Sequence, residues 1–342
     1  MKNVLILLTL FSFAIIFQGC FEKDEKVPPQ VPGDASDVAL QNSIYDYQVY
    51  FDFGTNEIRA VHLNNSWVLA FDASADGWDI SVNSGNLYGV APTGVDDFDS
   101  VTALTSAELY RFDAADGNPD SSAFSNWIDR SVVPWKPTGE IFLVGQYDGI
   151  KYSPVWKIRI DSMTEKSYKV TYSGMESKPS TAVINKNYNM NFVHVTFDGD
   201  SLKPVNIEPP KTDWDILFSQ YGTILYTDDG LPTPYFVRGV LLNPFNVQAA
   251  LVDNQPFDSI DYDIAQALRY SEKRDLIGHD WKYPVIDFDA NTAVYYIRKD
   301  SSWIVKDTDG LYYKMHFLSY YSYGSDTTDV EKGYPEFVFQ EL

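Results

Sequence analysis

Histidine and cysteine, which are common ligands of transition metals in proteins, are few in this 342-residue chain. The chain has four histidines and a single cysteine: His62, His194, His279, His316 and Cys20. No two histidines have the spacing of a zinc motif such as H-x-H or H-E-x-x-H, so a zinc site is not predicted. The chain also lacks a serine nucleophile elbow, a G-x-G-x-x-G motif and a Walker loop. These features favour a non-enzymatic protein. A secreted hydrolase that uses paired carboxylates ranks lowest among the alternatives. With 48 acidic residues some close pair is inevitable, so the presence of a pair is no evidence for catalysis.

His279 is the histidine whose surroundings best suit a binding role. It lies in Leu-Ile-Gly-His-Asp-Trp-Lys, where Asp280 could orient its ring, as carboxylates orient metal-bound histidines. The alternative is a loop histidine beside a structural Trp281. His316 differs, because it alternates with apolar residues along its strand and is expected to face outward together with Lys314.

Three acidic clusters near glycines could supply oxygen ligands for calcium. They occupy residues 113–120, 228–230 and 307–310. None of them fits the twelve-residue EF-hand loop with its closing glutamate. Asp-Gly pairs also form turns for purely local reasons, so turns are the preferred interpretation.

Residues 1–20 have the features of a lipoprotein signal peptide. Lys2 is followed by a fourteen-residue apolar run, Val4 to Phe17, which is too short to span a bilayer comfortably. The segment ending at Cys20 resembles the lipobox of bacterial lipoproteins, in which the cysteine is lipidated and becomes the new N-terminus. A lone cysteine cannot form an intramolecular disulfide, which fits that role. The alternative is an ordinary signal peptide with an incidental cysteine.

The residues after Cys20 predict where the mature protein is located and which classes of partner it does not bind. Glu22, Asp24 and Glu25 resemble the acidic tag that directs Bacteroidetes lipoproteins to the cell surface. We therefore expect an outer-membrane lipoprotein, exposed at the surface and held by its acyl chains alone. Without the leader, 25 basic residues face 48 acidic ones, a net charge of −23. This charge makes nucleic acid and anionic headgroups poor partners.

The rest of the chain predicts a mainly β protein. Residues 21–41 are charged and rich in proline, as in a tether. The C-terminal stretch 291–342 contains runs rich in Val, Ile, Tyr and Phe separated by Asp-Gly breaks, a pattern typical of antiparallel strands. Helical periodicity is clear only in Asp258 to Ser271, with a less regular counterpart in 99–110.

An internal repeat organises these strands. Four anchors recur in order, namely Trp67–Phe71 with Trp214–Phe218, Phe98–Val101 with Phe257–Ile260, Trp135-Lys136 with Trp281-Lys282, and Trp156–Ile160 with Tyr313–Phe317. The stretch at Trp78 is a second possible partner for Trp214. The repeat predicts two tandem, related antiparallel β domains, residues 42–190 and 191–342, each with about one short helix. Chance similarity among aromatic-rich strands is the alternative.

The second half resembles the HmuY family of haem-binding Bacteroidetes lipoproteins. The resemblance rests on Trp214–Phe218, Phe257–Ile260 and Tyr313–Phe317 followed by Ser-Tyr-Tyr, together with the lipobox. It implies a β fold that holds haem between loops through two axial ligands, commonly histidines or methionines. Such ligands would lie between about 225 and 300, where the chain has one histidine and no methionine.

His279 is therefore the residue nominated for haem, and tyrosines of the same interval are further candidates. They are Tyr235, Tyr262, Tyr270 and Tyr283. The alternative function is a carbohydrate- or protein-binding surface lipoprotein that keeps the fold but has lost the haem site.

Overall fold

Alternation of apolar and polar residues builds β-strands along the whole described part of the chain. The computed structural model describes residues 33–101, 110–227, 229–287, 289–290, 292–322 and 330–342. The first eleven strands are β1 (Ser36–Ala39), β2 (Tyr47–Asp52), β3 (Glu57–Leu63), β4 (Leu69–Asp72), β5 (Ile80–Val82), β6 (Tyr88–Pro92), β7 (Ile128–Asp129), β8 (Lys136–Pro137), β9 (Phe142–Tyr147), β10 (Tyr152–Met163) and β11 (Ser167–Gly174).

Eleven further strands and one short α-helix follow within the described residues. The strands are β12 (Ser180–Asn185), β13 (Phe192–Asp198), β14 (Ser201–Val205), β15 (Ile216–Tyr226), β16 (Pro232–Leu242), β17 (Gln248–Asp253), β18 (Lys282–Asp287), β19 (Thr292–Ile297), β20 (Ser301–Lys306), β21 (Tyr312–Tyr321) and β22 (Lys332–Glu341). The helix, α1, covers Tyr262–Ala267 and is capped by the Asp261 side chain. It is shorter than the periodicity predicted, because Phe257–Ser259 forms a separate 3₁₀ turn before it. The predicted counterpart in 99–110 lies mostly outside the described residues.

The sheets show that the chain follows the same path twice. Two five-stranded sheets have the orders β6-β9-β10-β11-β12 and β17-β20-β21-β22-β1. Two four-stranded sheets have the orders β5-β4-β13-β14 and β16-β15-β2-β3, and the pairs β7-β8 and β18-β19 complete the set. Each strand of β1–β11 therefore corresponds to the strand eleven places later. We call residues 36–174 repeat 1 and residues 180–341 repeat 2.

The first two strands of each repeat pair with strands of the other repeat, whereas the third pairs with the second strand of its own repeat. β1 pairs with β22, β2 with β15, and β13 with β4, all antiparallel. Strands on both sides of the predicted boundary at 190/191 thus share sheets, and Gly33–Leu342 forms one compact unit. The mainly β, antiparallel fold is confirmed, whereas two tandem domains are not.

Side-chain contacts repeat along with the strands. The Lys157 ammonium donates to the carbonyls of Phe98 and Val101 at 3.1 and 3.4 Å, and the Lys314 ammonium donates to those of Phe257 and Ile260 at 3.0 and 2.9 Å. Both lysines are buried. The prediction that Lys314 faces outward was wrong, because its ammonium lies inside the protein and donates to two carbonyls of the segment before α1.

Two buried asparagines provide a second matched contact. Asn83 Nδ2 donates to the carbonyls of Asn64 and Trp67, and Asn243 Nδ2 donates to those of Lys211 and Trp214. In each repeat the second carbonyl belongs to the tryptophan that precedes the central strand. Trp67, and not the stretch at Trp78, is therefore the structural partner of Trp214.

One anchor of the predicted repeat was placed on the wrong tryptophan. Trp281 is fully buried, whereas Trp135 is 41% exposed. The counterpart of Trp281 is Trp127, which is 1% exposed and directly precedes β7 as Trp281 precedes β18. The Trp127 carbonyl accepts from the N–H of Thr138, and the Trp281 carbonyl accepts from that of Arg298, both at 2.9 Å. The shared Trp-Lys dipeptide was a coincidence of sequence.

Most of the buried aromatic side chains pack into two large hydrophobic cores, one against each five-stranded sheet. In repeat 2, Tyr313, Met315 and Phe317 face inward as their alternation predicts, and Trp281 stacks on Phe317 with ring centroids 4.0 Å apart. The core of repeat 1 contains Trp127 and Tyr168. Rings of this size contribute much of the buried apolar area in a protein. The sheets are therefore rigid supports for the loops and hairpins between them.

Candidate functional site

An open groove of about 1120 Å³ lies beside the β18-β19 hairpin. Strand β16, the ends of β21 and β22, and the segment before β2 form its other sides. The lining side chains include four tyrosines, three aliphatic residues and two cations, namely Tyr45, Tyr235, Tyr295, Tyr321, Ile286, Val294, Val330, Arg238 and Lys332. Tyr235, Ile286, Val294 and Val330 are each about half exposed. Such a concentration of exposed apolar side chains is typical of a binding surface.

Two basic side chains lie against tyrosine rings in this groove. The guanidinium carbon of Arg238 lies 4.1 Å from the Tyr45 ring centroid, and the Lys332 ammonium lies 5.8 Å from that of Tyr295. The Arg238 Nε is buried and has no hydrogen-bond partner within the described part of the chain. The groove thus combines apolar walls with cations, a set that suits a flat apolar ligand with anionic substituents.

The tyrosines of the groove are not equivalent. The Tyr321 hydroxyl accepts a hydrogen bond from the Tyr295 N–H at 2.6 Å, so this oxygen supports the hairpin. Burial raises the pKa of Tyr295, and the charge of a neighbouring ionised Tyr45 would raise it further. Tyr235 is 53% exposed on β16. It is therefore the most exposed of the four tyrosines that line the groove.

His279 lies just before β18, apart from the residues that line the groove. Its neighbour Gly278 bridges to Val240 of β16 through two backbone hydrogen bonds. The His279 side chain is 29% exposed, and its Nε2 lies 3.6 Å from Asp280 Oδ1. Burial lowers the pKa of His279, although Asp280 opposes that shift. The ring is therefore largely neutral at pH 7, the form in which histidine binds a metal.

The other sequence candidates lie elsewhere. Tyr262 and Tyr270 pack against Tyr312 beside α1, and Tyr283 stacks on Tyr296 on the far side of the hairpin. His316 is half-buried, with its Nδ1 2.9 Å from the Ser301 carbonyl. Cys20 lies outside the described residues. Of the tyrosine candidates, only Tyr235 lines the groove.

The acidic clusters behave as turns where they are described. The Asp307 carboxylate accepts the N–H groups of Asp309 and Leu311 at 2.9 and 2.8 Å, closing the turn before β21. Asp228 lies outside the described residues. Among the residues described, no group of three or more His, Cys, Asp and Glu is arranged to hold a metal ion. No helix in that part of the chain is long and apolar enough to cross a membrane.

A second cavity, of about 250 Å³, lies where the repeats meet, and we call it the inter-repeat cavity. Its aromatic walls form two matched pairs, Trp67 with His194 and Trp214 with Tyr50, whose rings meet edge to face at 4.8 and 4.9 Å. The Arg274 side chain also lines it. Sequence reasoning missed this cavity, because its lining comes from strands far apart in the chain.

Carboxyl groups surround Arg274 in the inter-repeat cavity. Burial raises the pKa of Asp79 and of Glu208 to about 7, and that of Asp113 to about 6. Glu208 and Asp113 accept backbone N–H groups, whereas Asp79 Oδ1 is buried without a partner among the described residues. Burial, and then the charge of Arg274, lowers the pKa of His194 to about 3. His194 is consequently neutral.

Comparison with known proteins gives the chain its family. The family model described as HmuY protein matches residues 44–339. Among solved structures, a HmuY-like haem-binding protein from Bacteroides vulgatus ATCC 8482 is similar over 91% of this chain and 96% of its own, at 9% identity and a TM-score of 0.22. That likeness is too weak to support an argument about the site. No curated protein matches the chain. Because the family match covers most of its length, the chain belongs to the HmuY family.

Proposed function

We propose that this chain is a surface-anchored lipoprotein of HmuY type that binds haem, or a similar flat ligand, without catalysing a reaction. The observation that carries the proposal is the groove beside the β18-β19 hairpin, where apolar walls and cations occur together. Family membership supports the same function. A large apolar ring with two carboxylates matches both features of the groove.

The residues of the groove fit haem in three respects. Ile286 and Val294 would supply apolar contacts for the porphyrin. The buried Nε of Arg238, which has no hydrogen-bond partner among the described residues, marks a cation for a carboxylate, with Lys332 as a second one. Tyrosine oxygen can bind ferric haem iron, and Tyr235 is the accessible tyrosine. When bound, the haem would supply the iron and the porphyrin carboxylates that these residues recognise.

Mutations can identify which residue binds the haem iron. His279 is the candidate from the sequence and Tyr235 is the candidate from the groove. We propose Tyr235 as the ligand, because His279 is not among the side chains that line the groove. His279 remains a candidate that the same experiment tests.

The test is haem titration of the full-length protein in mild detergent, followed by the Soret band. We expect saturable binding at micromolar haem, with a band that Tyr235→Phe shifts or abolishes. Tyr283→Phe is the matched control, since it removes a hydroxyl from the β18-β19 hairpin outside the groove. Loss of the band in His279→Ala but not in Tyr235→Phe would return the ligand to His279. No Soret change at all would contradict haem binding.

Surface anchoring requires its own test. A Cys20→Ser variant lacks the only thiol of the chain and should move from the membrane fraction to the soluble fraction when cells are lysed. Replacing Glu22, Asp24 and Glu25 by alanine should keep the protein in membranes but reduce its digestion by protease added to intact cells. Membrane attachment of Cys20→Ser would contradict lipidation.

The alternative function is a carbohydrate- or protein-binding surface lipoprotein without haem. The exposed side chains of the hairpins would then form a docking surface. Neither the family match nor the two cations of the groove favours that alternative. It would become the leading proposal if haem titration failed.

A further inference from the structure

The inter-repeat cavity has the size of a small-molecule site. Its volume of about 250 Å³ equals that of roughly eight water molecules in the liquid. Trp67, Trp214 and Tyr50 supply aromatic surface, while Arg274 and Asp79 supply charged groups. The cavity lies apart from the groove, since the two share no lining residue.

Several buried polar atoms of the lining residues have no hydrogen-bond partner in the described part of the chain. Trp214 Nε1, Gln220 Oε1 and Asp79 Oδ1 make no hydrogen bond to any described residue. Trp214 and Gln220 are each more than nine-tenths buried. Buried polar atoms normally have partners, so such a cluster indicates that partners come from outside the chain. The set includes both donors and acceptors.

Backbone contacts hold Arg274 at the cavity. Its N–H donates to the Asp116 carbonyl at 3.0 Å, and its Nε donates to the Leu242 carbonyl at 3.3 Å. Gly117 has a φ of +77°, and a Cβ there would lie 2.7 Å from the Arg274 side chain. The 113–120 loop therefore accommodates the arginine closely, and the bond to Leu242 leaves the two terminal nitrogens for other acceptors.

The charges around the cavity select against ionic ligands. An anion would meet the carboxyl groups of Asp79, Asp113 and Glu208, and a cation would meet the guanidinium of Arg274. A neutral molecule with several hydroxyl groups can donate to Asp79 and Gln220 and accept from Arg274 and Trp214. Its C–H faces can pack on the aromatic rings.

We propose that the inter-repeat cavity binds a small neutral polyhydroxylated molecule of monosaccharide size. This site is independent of haem binding, because it uses different residues. The cavity lies between strands of both repeats, and bound ligand would therefore stabilise the association of the two repeats.

Thermal unfolding and isothermal calorimetry of the full-length protein test the proposal. The neutral probes are glucose, galactose, mannose and myo-inositol, and the charged probes of similar size are glucosamine and glucuronate. At a concentration 100 times its dissociation constant, a neutral ligand should raise the Tm by about 2 °C or more. Glucosamine and glucuronate should have no effect. If none of the four neutral probes raises the Tm or releases heat at 50 mM, the proposal is wrong.

Variants then assign the binding to the cavity. Asp79→Asn replaces a carboxyl oxygen by an amide NH₂ group at nearly constant volume and should weaken binding at least tenfold. Ala70→Leu fills the cavity with the residue type that its counterpart Leu217 already has, and it should abolish binding in a folded protein. Asp76→Asn is the control, since this neighbouring aspartate is exposed. Equal affinity in all three variants would place the ligand elsewhere and overturn the proposal.

Discussion

His194 meets Trp67 edge to face with ring centroids 4.8 Å apart, although 127 residues separate them in sequence. Tyr50 meets Trp214 in the same geometry at 4.9 Å. In each pair the tryptophan belongs to one repeat and its partner to the other. The first strands of each repeat thus complete the sheets of the other, and the two repeats are expected to unfold together.

Trp127 and Trp135 should differ sharply in their contribution to stability. Trp127 is buried among Tyr168 and other core rings, so Trp127→Ala should cost about 3–5 kcal/mol of unfolding free energy. Trp135 is 41% exposed, and Trp135→Ala should cost about 1 kcal/mol or less. Urea unfolding followed by circular dichroism measures both. Equal losses would contradict the pairing of Trp127 with Trp281.

The two buried lysines should be equally intolerant of an apolar replacement. In Lys314→Met, the carbonyls of Phe257 and Ile260 lose the hydrogen bonds from the ammonium, which should cost about 2–4 kcal/mol. Lys157→Met should cost a similar amount, because Lys157 makes the matching contacts. Lys306→Met, at a half-buried lysine without such bonds, is the control. A loss below about 1 kcal/mol in both buried variants would show that these contacts are not needed.

His194 should make the protein less stable as the pH falls. Its pKa is about 3 in the folded protein and about 6.5 in an unfolded chain. Its stabilising contribution is therefore complete above pH 6.5 and is lost as the pH falls towards 3, because only the unfolded chain takes up the proton. His194→Phe should change the slope of unfolding free energy against pH by up to about 1.4 kcal/mol per pH unit between pH 4 and 6. Chemical unfolding across this range measures the slope, and unchanged slopes would refute the burial of a neutral ring.

Asp79 should have the opposite pH dependence. Burial, and then the nearby charge of Asp113, raises its pKa to about 7, so the folded protein retains a proton that the unfolded chain releases near pH 4. Its stabilising contribution is complete below pH 4 and is lost as the pH rises through 7. Asp79→Asn should match the wild type at pH 4 and exceed its stability at pH 8 by up to about 4 kcal/mol. A variant less stable than wild type at pH 8 would show that the ionised carboxylate has a partner.

Local sequence determined much of the β architecture. The alternation in 312–319 placed Tyr313, Met315 and Phe317 in the core, and three of the four repeat anchors correspond in the structure. The motifs around Trp214 and Lys314 also led to the right family. These features depend on the period of a strand and on short motifs, which are properties of neighbouring residues.

Only the tertiary structure decided how the two copies combine and where their cavities lie. The alternation of apolar and polar residues in a strand does not specify which strand it pairs with. The pairing of β2 with β15 and of β4 with β13 could therefore not be deduced from either segment. The burial of Lys314 and the position of Arg274 depend in the same way on carbonyls that distant segments provide. Sequence therefore specified the strands and the family. Contacts between residues more than a hundred positions apart created the inter-repeat cavity. The free energy of pairing two strands depends on their proximity in space, which the sequence of either strand does not contain.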